Sequence, residues 1–218
     1  MAAFDFGEKV DPHLFERAGV ATTSVNIQRY LQQAWQMFLE NVGAFFGFSL
    51  TLFAVWLATS MVDAGSSLLF SSVAAPFYAG YSIVAFKLAS GQPLQFNDFF
   101  KGFNYFLPLF LASLASTLLV CIGFVLLLLP GIYLAIGYMF TTFLVIDYRM
   151  EFWQAMEMSR TIISRHWFSF FGFACVLFVL NMLGALAFGI GLLITIPVTS
   201  CAAAIAYKEI VGLYSSEW

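Results

Sequence analysis

Long apolar runs alternate with short amphipathic stretches along the chain, and this pattern predicts helices embedded in a membrane. A helix needs roughly 20 apolar residues to cross the hydrocarbon core of a bilayer. Transmembrane strands are disfavoured, because they are segments of about ten residues with alternating polarity. We place six spans at residues 42–61, 66–87, 106–129, 131–147, 167–187 and 190–208.

Short turns pair these spans into three hairpins. The turns contain Asp63, Gly65, Ser66 and Ser67 in the first hairpin, Pro130-Gly131 in the second and the glycine-containing segment 188–191 in the third. Pro76 and Pro197 fall inside the second and sixth spans. Each proline removes a backbone donor, which predicts a kink in its helix.

Each hairpin is preceded by a stretch in which apolar residues recur at spacings of three and four, as on one face of an α-helix. The positions on this face are Ile27, Tyr30, Leu31, Ala34, Trp35, Phe38 and Val42; then Phe96, Phe99, Phe100 and Phe103; then Phe152, Ala155, Met156, Ser159, Ile162 and Ile163. The polar residues of the second stretch are predicted to face away from its phenylalanines, and they are Asn97, Asp98, Lys101 and Asn104.

The predicted fold class is therefore an all-α membrane protein. Its six transmembrane helices form three hairpins, each preceded by an interfacial amphipathic helix. The segment Phe45-Phe46-Gly47-Phe48 recurs as Phe170-Phe171-Gly172-Phe173. Internal duplication and convergence both explain this repeat, and the sequence leaves the two open.

The positions of the basic residues predict the orientation. All nine lysines and arginines flank the hairpins on the side away from the turns. Because cytoplasmic flanks attract lysine and arginine, both termini are expected in the cytoplasm and the chain in the inner membrane. We divide it into a polar tail at 1–23, one six-helix domain at 24–212 and a second cytoplasmic tail at 213–218. The first forty residues lack the apolar region of a cleaved signal peptide.

Composition supports lipid as the main solvent of the chain. Hydrophobic residues make up 61% of the sequence and charged residues 10%, whereas soluble domains carry about 25% charged residues. The net charge of -3 comes without a basic patch for nucleic acid. Cys121, Cys175 and Cys201 all lie inside apolar runs, so no disulfide framework is expected.

No set of residues has the spacing of a catalytic or metal site, so neither a cofactor nor a metal is expected. The only histidines are His13 and His166. The absence of charges deep in the spans disfavours an ion-coupled transporter. Asn181 and Thr195 are candidates for a polar track between helices, and interhelical hydrogen bonding is the alternative. Pro76 and Pro197 are the candidate hinges.

The segment 147–167 mixes charged residues with tryptophans. Its candidate contacts for lipid or a partner are Trp153, Arg160, Arg165 and His166. One interpretation is a solvated surface helix anchored by tryptophan. The other is docking of a cytosolic partner or of anionic lipid headgroups.

Several short motifs carry a resemblance to a known group. They are Leu129-Pro130-Gly131-Ile132-Tyr133-Leu134, Asp147, Trp153-x-Ala155-Met156-x-x-Ser159-Arg160, Trp167, Asn181 and Gly189-Ile190-Gly191-x4-Thr195-x-Pro197. Over residues 25–212 the chain resembles a broad group of bacterial multi-pass membrane proteins, similar to the membrane domain of some glycerophosphodiester phosphodiesterases. No phosphodiesterase catalytic domain is expected from these residues. The resemblance implies topology and no activity.

Three functions remain as hypotheses. The first is a non-enzymatic structural or accessory protein that contacts membrane lipids, a protein partner or a second copy of itself. The second is a transporter or channel for a small neutral or lipid-like solute, based on the prolines and the Asn181 set. The third is a lipid-active membrane enzyme, which would need His166, Asp147 and Glu151 to converge.

Overall fold

The computed structural model describes residues 25–60, 74–187 and 189–214, and regular structure in these ranges is entirely helical. The helices are α1 (Ile27–Glu40), α2 (Val42–Ser60), α3 (Ala75–Ala89), a 3₁₀ helix (Phe96–Tyr105), α4 (Phe106–Leu126), α5 (Leu128–Gly137), α6 (Thr141–Asp147), α7 (Phe152–Ser164), α8 (Trp167–Leu186) and α9 (Leu192–Ile210). The all-α prediction is confirmed for the described residues.

Four helical segments in the described ranges are long and apolar enough to cross a membrane. They are Phe96–Leu126, Leu128–Asp147, Trp167–Leu186 and Leu192–Ile210. A fifth candidate is the bent pair Ile27–Glu40 and Val42–Val55, whose axes meet at 91°. The first turn and residues 66–73 of the span predicted at 66–87 lie outside the described residues, and α3 has 15 residues. Six spans therefore stay a prediction.

The second hairpin turn differs from the predicted position at Pro130-Gly131. The chain breaks at Leu127, whose φ of -161° and ψ of 146° are extended. Pro130 lies in the first turn of α5, where a missing N–H costs no intrahelical hydrogen bond. A Cβ at Gly123 would lie 2.9 Å from the Cα of Gly131. This close approach lets α4 and α5 pack together next to the break.

The predicted fourth span is not one continuous helix. It is divided into α5 and α6 by a turn between Gly137 and Thr141. Ser159, from α7, bonds to both sides of this turn. Its hydroxyl donates to the carbonyl of Gly137 at 2.6 Å and accepts from the backbone N–H of Phe140 at 3.0 Å. The side chain thus satisfies backbone groups that the broken helix leaves without intrahelical partners.

Replacing Ser159 by alanine should destabilise the protein by about 1–3 kcal/mol, because two buried backbone groups lose their partner. The measurement is the detergent-induced unfolding free energy of the purified variant. Ser164→Ala is the control, since the exposed Ser164 hydroxyl bonds to Arg160 and Tyr133 outside the core. Equal losses in the two variants would contradict this role for Ser159.

The C-terminal half of α9 forms the centre of the core. Residues 201–207 of this helix are all buried, and α1, α2, α3 and α8 pack against it. The first amphipathic stretch buries Tyr30, Ala34 and Phe38 in this core and leaves Trp35 exposed. The predicted apolar face of α1 therefore contacts protein along most of its length.

The second amphipathic stretch is a 3₁₀ helix packed closely on α3. A Cβ at Gly80 would overlap the carbonyl oxygen of Phe99, and one at Gly102 would overlap that of Pro76. Only glycine permits such contact between two backbones. This contact buries Phe99 completely, whereas Phe96 and Phe103 are exposed.

The third amphipathic stretch forms α7 as predicted. Its buried residues are Ala155, Met156, Ser159, Ile162 and Ile163. The helix packs against α4, α5 and α6. Its apolar face therefore covers the broken fourth span.

Candidate functional site

A groove of about 570 Å³ lies between α1, the C-terminal end of α3 and the C-terminal end of α9. Its volume is in the range of small-molecule sites in proteins. The lining residues are Arg29, Gln33, Gln36, Met37, Glu40, Asn41, Leu88, Ala89, Ile205, Lys208 and Glu209. The sequence alone does not predict this groove, because its residues come from three distant segments.

The groove carries both signs of charge. Arg29 forms an ion pair with Glu209, which joins α1 to α9. The ammonium of Lys208 donates to the carbonyl oxygen of Ala89 at 2.5 Å, at the end of α3. A lysine has three donors, so Lys208 keeps two for other acceptors. Glu40 contributes a carboxylate that is exposed on the last turn of α1.

Amide side chains and an apolar floor complete the groove. Gln33 and Gln36 are exposed on its α1 side, while Asn41 donates to the carbonyl of Met37 at 3.2 Å. Ile205 is buried beneath them. Such a surface offers hydrogen-bond donors and acceptors to the polar group of a ligand. It also offers apolar contact to the rest of that ligand.

The polar track predicted around Asn181 forms a hydrogen-bonded contact between α8 and α9. The Asn181 amide donates to the Thr199 hydroxyl at 3.2 Å and to the Leu177 carbonyl at 3.1 Å. The hydroxyl of Thr199 donates in turn to the carbonyl of Thr195 at 2.8 Å. The Asn181 Oδ1 and Thr195 Oγ1 atoms are buried without a partner in the structure. These residues do not line the groove.

The two candidate hinges occupy different positions. The described helix α3 begins at Ala75, so Pro76 lies in its first turn, where no intrahelical hydrogen bond is lost. Pro197 lies inside α9 and is buried. It leaves the carbonyl four residues earlier without its helical donor.

The candidate interfacial contacts are spread along α7 and the start of α8. Trp153 is exposed, and Arg160 pairs with Glu157 at 2.6 Å. Arg165 ends α7 and His166 precedes α8, both with exposed side chains. None of these four residues lines the groove between α1, α3 and α9.

A buried ionic cluster corrects the prediction that Asp98 faces outward, away from the phenylalanines of its stretch. Asp98 is 1% exposed and Lys87 is 7% exposed. The Lys87 ammonium lies 2.6 Å from one carboxylate oxygen of Asp98, and that of Lys101 lies 2.9 Å from the other. Asp98 also accepts the backbone N–H of Gln95 at 2.8 Å, which caps the 3₁₀ helix. These three partners explain why the Asp98 side chain is buried and does not face solvent.

A second buried carboxylate, Asp147, holds the segment that follows α9. It accepts the Tyr207 hydroxyl at 3.0 Å and the backbone N–H of Tyr214 at 3.1 Å. The Tyr214 ring stacks on Tyr148 with centroids 5.2 Å apart. Burial, together with the charge of Asp147 and the nearby Tyr214, raises the pKa of Tyr148 to about 12. The described part of the predicted C-terminal tail is thus bound to the helical core.

Within the described ranges, no three His, Cys, Asp or Glu residues are grouped closely enough to hold a metal ion. In comparisons with known proteins, no family model, no curated protein and no solved structure matches this chain. The relationship to phosphodiesterase-associated membrane domains therefore stays an expectation from the short motifs.

Proposed function

We propose that this chain is a non-enzymatic accessory protein of the inner membrane that binds a phospholipid headgroup in the groove between α1, α3 and α9. In this proposal the three hairpins enter from the cytoplasm and both termini stay there. The observation that carries it is the groove, which places both signs of charge and several amides above an apolar floor.

The position of the groove supports a headgroup as its occupant. Lys208 ends the sixth predicted span and α3 ends at Ala89, so the groove lies where apolar helices give way to polar sequence. The bend of 91° between α1 and the start of α2 is the geometry expected of a surface helix that leads into a span. A molecule in this groove would have its polar part at the interface and its chains in lipid.

The chemistry of the groove favours a headgroup with both charges. The remaining donors of Lys208 suit a phosphate, and the carboxylate of Glu40 suits an ammonium group. Gln33 and Gln36 supply further donors and acceptors. Phosphatidylethanolamine has both a phosphate and a primary ammonium, whereas phosphatidylglycerol has only the phosphate.

The test compares the thermal stability of the purified protein in nanodiscs of phosphatidylethanolamine mixed with phosphatidylcholine against nanodiscs with phosphatidylglycerol in its place. We expect a higher midpoint with phosphatidylethanolamine, and loss of this preference in Glu40→Gln. Glu157→Gln is the matched control, because Glu157 is a partly exposed acid outside the groove. A wild type that responds equally to the two lipids would exclude the headgroup proposal and favour a protein partner or a second copy as the occupant.

A transporter or channel is the second candidate, and one observation favours it. The Asn181 Oδ1 and Thr195 Oγ1 atoms are buried between α8 and α9 without a partner, and unsatisfied polar groups in such a place are costly unless a ligand or water reaches them. Asn181→Leu would abolish solute flux in proteoliposomes if this track conducts. If the wild type shows no flux and Asn181→Leu binds lipid as the wild type does, Asn181 is a packing residue.

A further inference from the structure

Two turns of the described structure are exposed and wholly apolar. At the turn between α4 and α5, Val125 is 86% exposed and Leu129 is 78% exposed, with the three leucines between them similarly open. At the turn between α8 and α9, Leu186 is 74% exposed and Ile190 is 68% exposed. Turns that enter water usually carry polar residues, and these two carry none.

The lack of charged residues extends far along the chain on both sides of each turn. No Asp, Glu, Lys or Arg occurs between Lys101 and Asp147, or between Arg165 and Lys208. The first stretch contains α4, α5 and most of α6, and the second contains α8 and most of α9. Each stretch also includes one of the two turns. The turns are thus continuous with the lipid-facing surface of their helices.

Part of the backbone of both turns is hydrogen-bonded within the chain. The Leu127 N–H donates to Gly123 at 3.0 Å, and the Gly189 N–H donates to Ala185 at 3.0 Å. The Leu192 N–H donates to Gly189 at 3.1 Å. Pro130 has no N–H to satisfy. Bonds of this kind lower the cost of placing a chain reversal next to acyl chains, where each unsatisfied backbone group costs several kcal/mol.

We infer that these two turns lie in the hydrocarbon of the distal leaflet and do not enter the aqueous phase beyond it. The 21 residues of α4 span about 32 Å at 1.5 Å per residue, close to the hydrocarbon thickness of about 30 Å. A modest tilt keeps such a hairpin below the distal headgroups. The acyl chains of the lipids then cover the exposed apolar surface of the two turns.

This inference rests on the membrane insertion assumed in the proposed function, but it is independent of headgroup binding. It makes the α4–α5 and α8–α9 hairpins accessible to water only at the ends that carry charges. These two hairpins would then meet the aqueous phase on one side of the membrane only. This favours the accessory function over a solute path through them.

The test uses single cysteines in a background in which Cys121, Cys175 and Cys201 are alanine and which is first shown to be monodisperse. Leu128→Cys and Ile190→Cys report on the two turns, and Gln32→Cys, exposed on the polar face of α1, is the control. Each variant is placed in phosphatidylcholine vesicles, and a membrane-impermeant maleimide is added before and after the vesicles are opened. We expect both turns to react at least about tenfold more slowly than Gln32→Cys in each condition, because thiolates do not form in hydrocarbon.

A second measurement distinguishes lipid from a covering protein. A small fluorophore is attached at the same positions in detergent, and the protein is returned to vesicles whose acyl chains carry a nitroxide at defined depths. Quenching by these chains at both turns is the expected result. Rapid maleimide labelling of the turns would overturn the inference by placing them in water, and the absence of quenching would overturn it by placing them against protein.

Discussion

Gly80→Ala is expected to prevent normal folding or to destabilise the protein by about 3 kcal/mol or more, at the upper end of what overpacking costs. The new Cβ would overlap the backbone carbonyl of Phe99, and a backbone atom cannot move aside as a flexible side chain can. The 3₁₀ helix would have to separate from α3, which would expose Phe99. The measurement is the yield of monodisperse protein in detergent together with the unfolding free energy.

Gly43→Ala is the matched control for this prediction. Gly43 also lies in a helix, but a Cβ there would meet nothing within 4 Å. Its replacement should be neutral or stabilising by up to about 1 kcal/mol, because alanine has the higher helix propensity. Gly102→Ala should behave like Gly80→Ala, since its Cβ would overlap the carbonyl of Pro76. A normally stable Gly80→Ala protein would show that the two backbones are farther apart than described.

Asp98→Asn is expected to cost about 3–5 kcal/mol, because it leaves the buried ammonium of Lys87 without its counter-charge. Asparagine retains an oxygen for the backbone N–H of Gln95, so the loss reports mainly on charge and not on the helix cap. Chemical unfolding in detergent measures the change. The exposed ion pair of Arg160 and Glu157 supplies the comparison, and Glu157→Gln should change stability by no more than about 1 kcal/mol.

The double variant Lys87→Met with Asp98→Asn separates the two explanations for such a loss. If the single change fails because a charge is left unpaired, removing Lys87 as well should recover most of the stability, since an apolar replacement of a buried pair is often tolerated. A double variant less stable than Asp98→Asn alone would show that Lys87 contributes through contacts other than its charge.

The periodicity of α7 shows what can be predicted from the sequence of one segment. Its buried positions were predicted correctly, because the spacing of apolar residues along one helix face is a property of the segment itself. The same reasoning failed for Asp98. A polar residue is expected to face solvent, and nothing within its own segment indicates that Lys87, on another helix, is available to pair with it.

The groove was missed for a similar reason. Arg29 and Glu209 are 180 residues apart in the chain and meet only when α1 packs on α9. The Ser159 contact with the turn after Gly137 likewise joins residues that lie 22 positions apart. The motif Ala155-Met156-x-x-Ser159-Arg160 drew attention to this serine, but its partners could not be read from it.

Composition and hydrophobic spacing alone determined that this chain is helical and apolar enough for a membrane, and which face of α7 is buried. Both properties depend on residues within a few turns of one another. The tertiary structure alone decided where the fourth span breaks, which carboxylates are buried and where a polar groove forms. These outcomes depend on contacts between backbone and charged groups that are distant in the sequence. Such contacts form only when whole helices pack together.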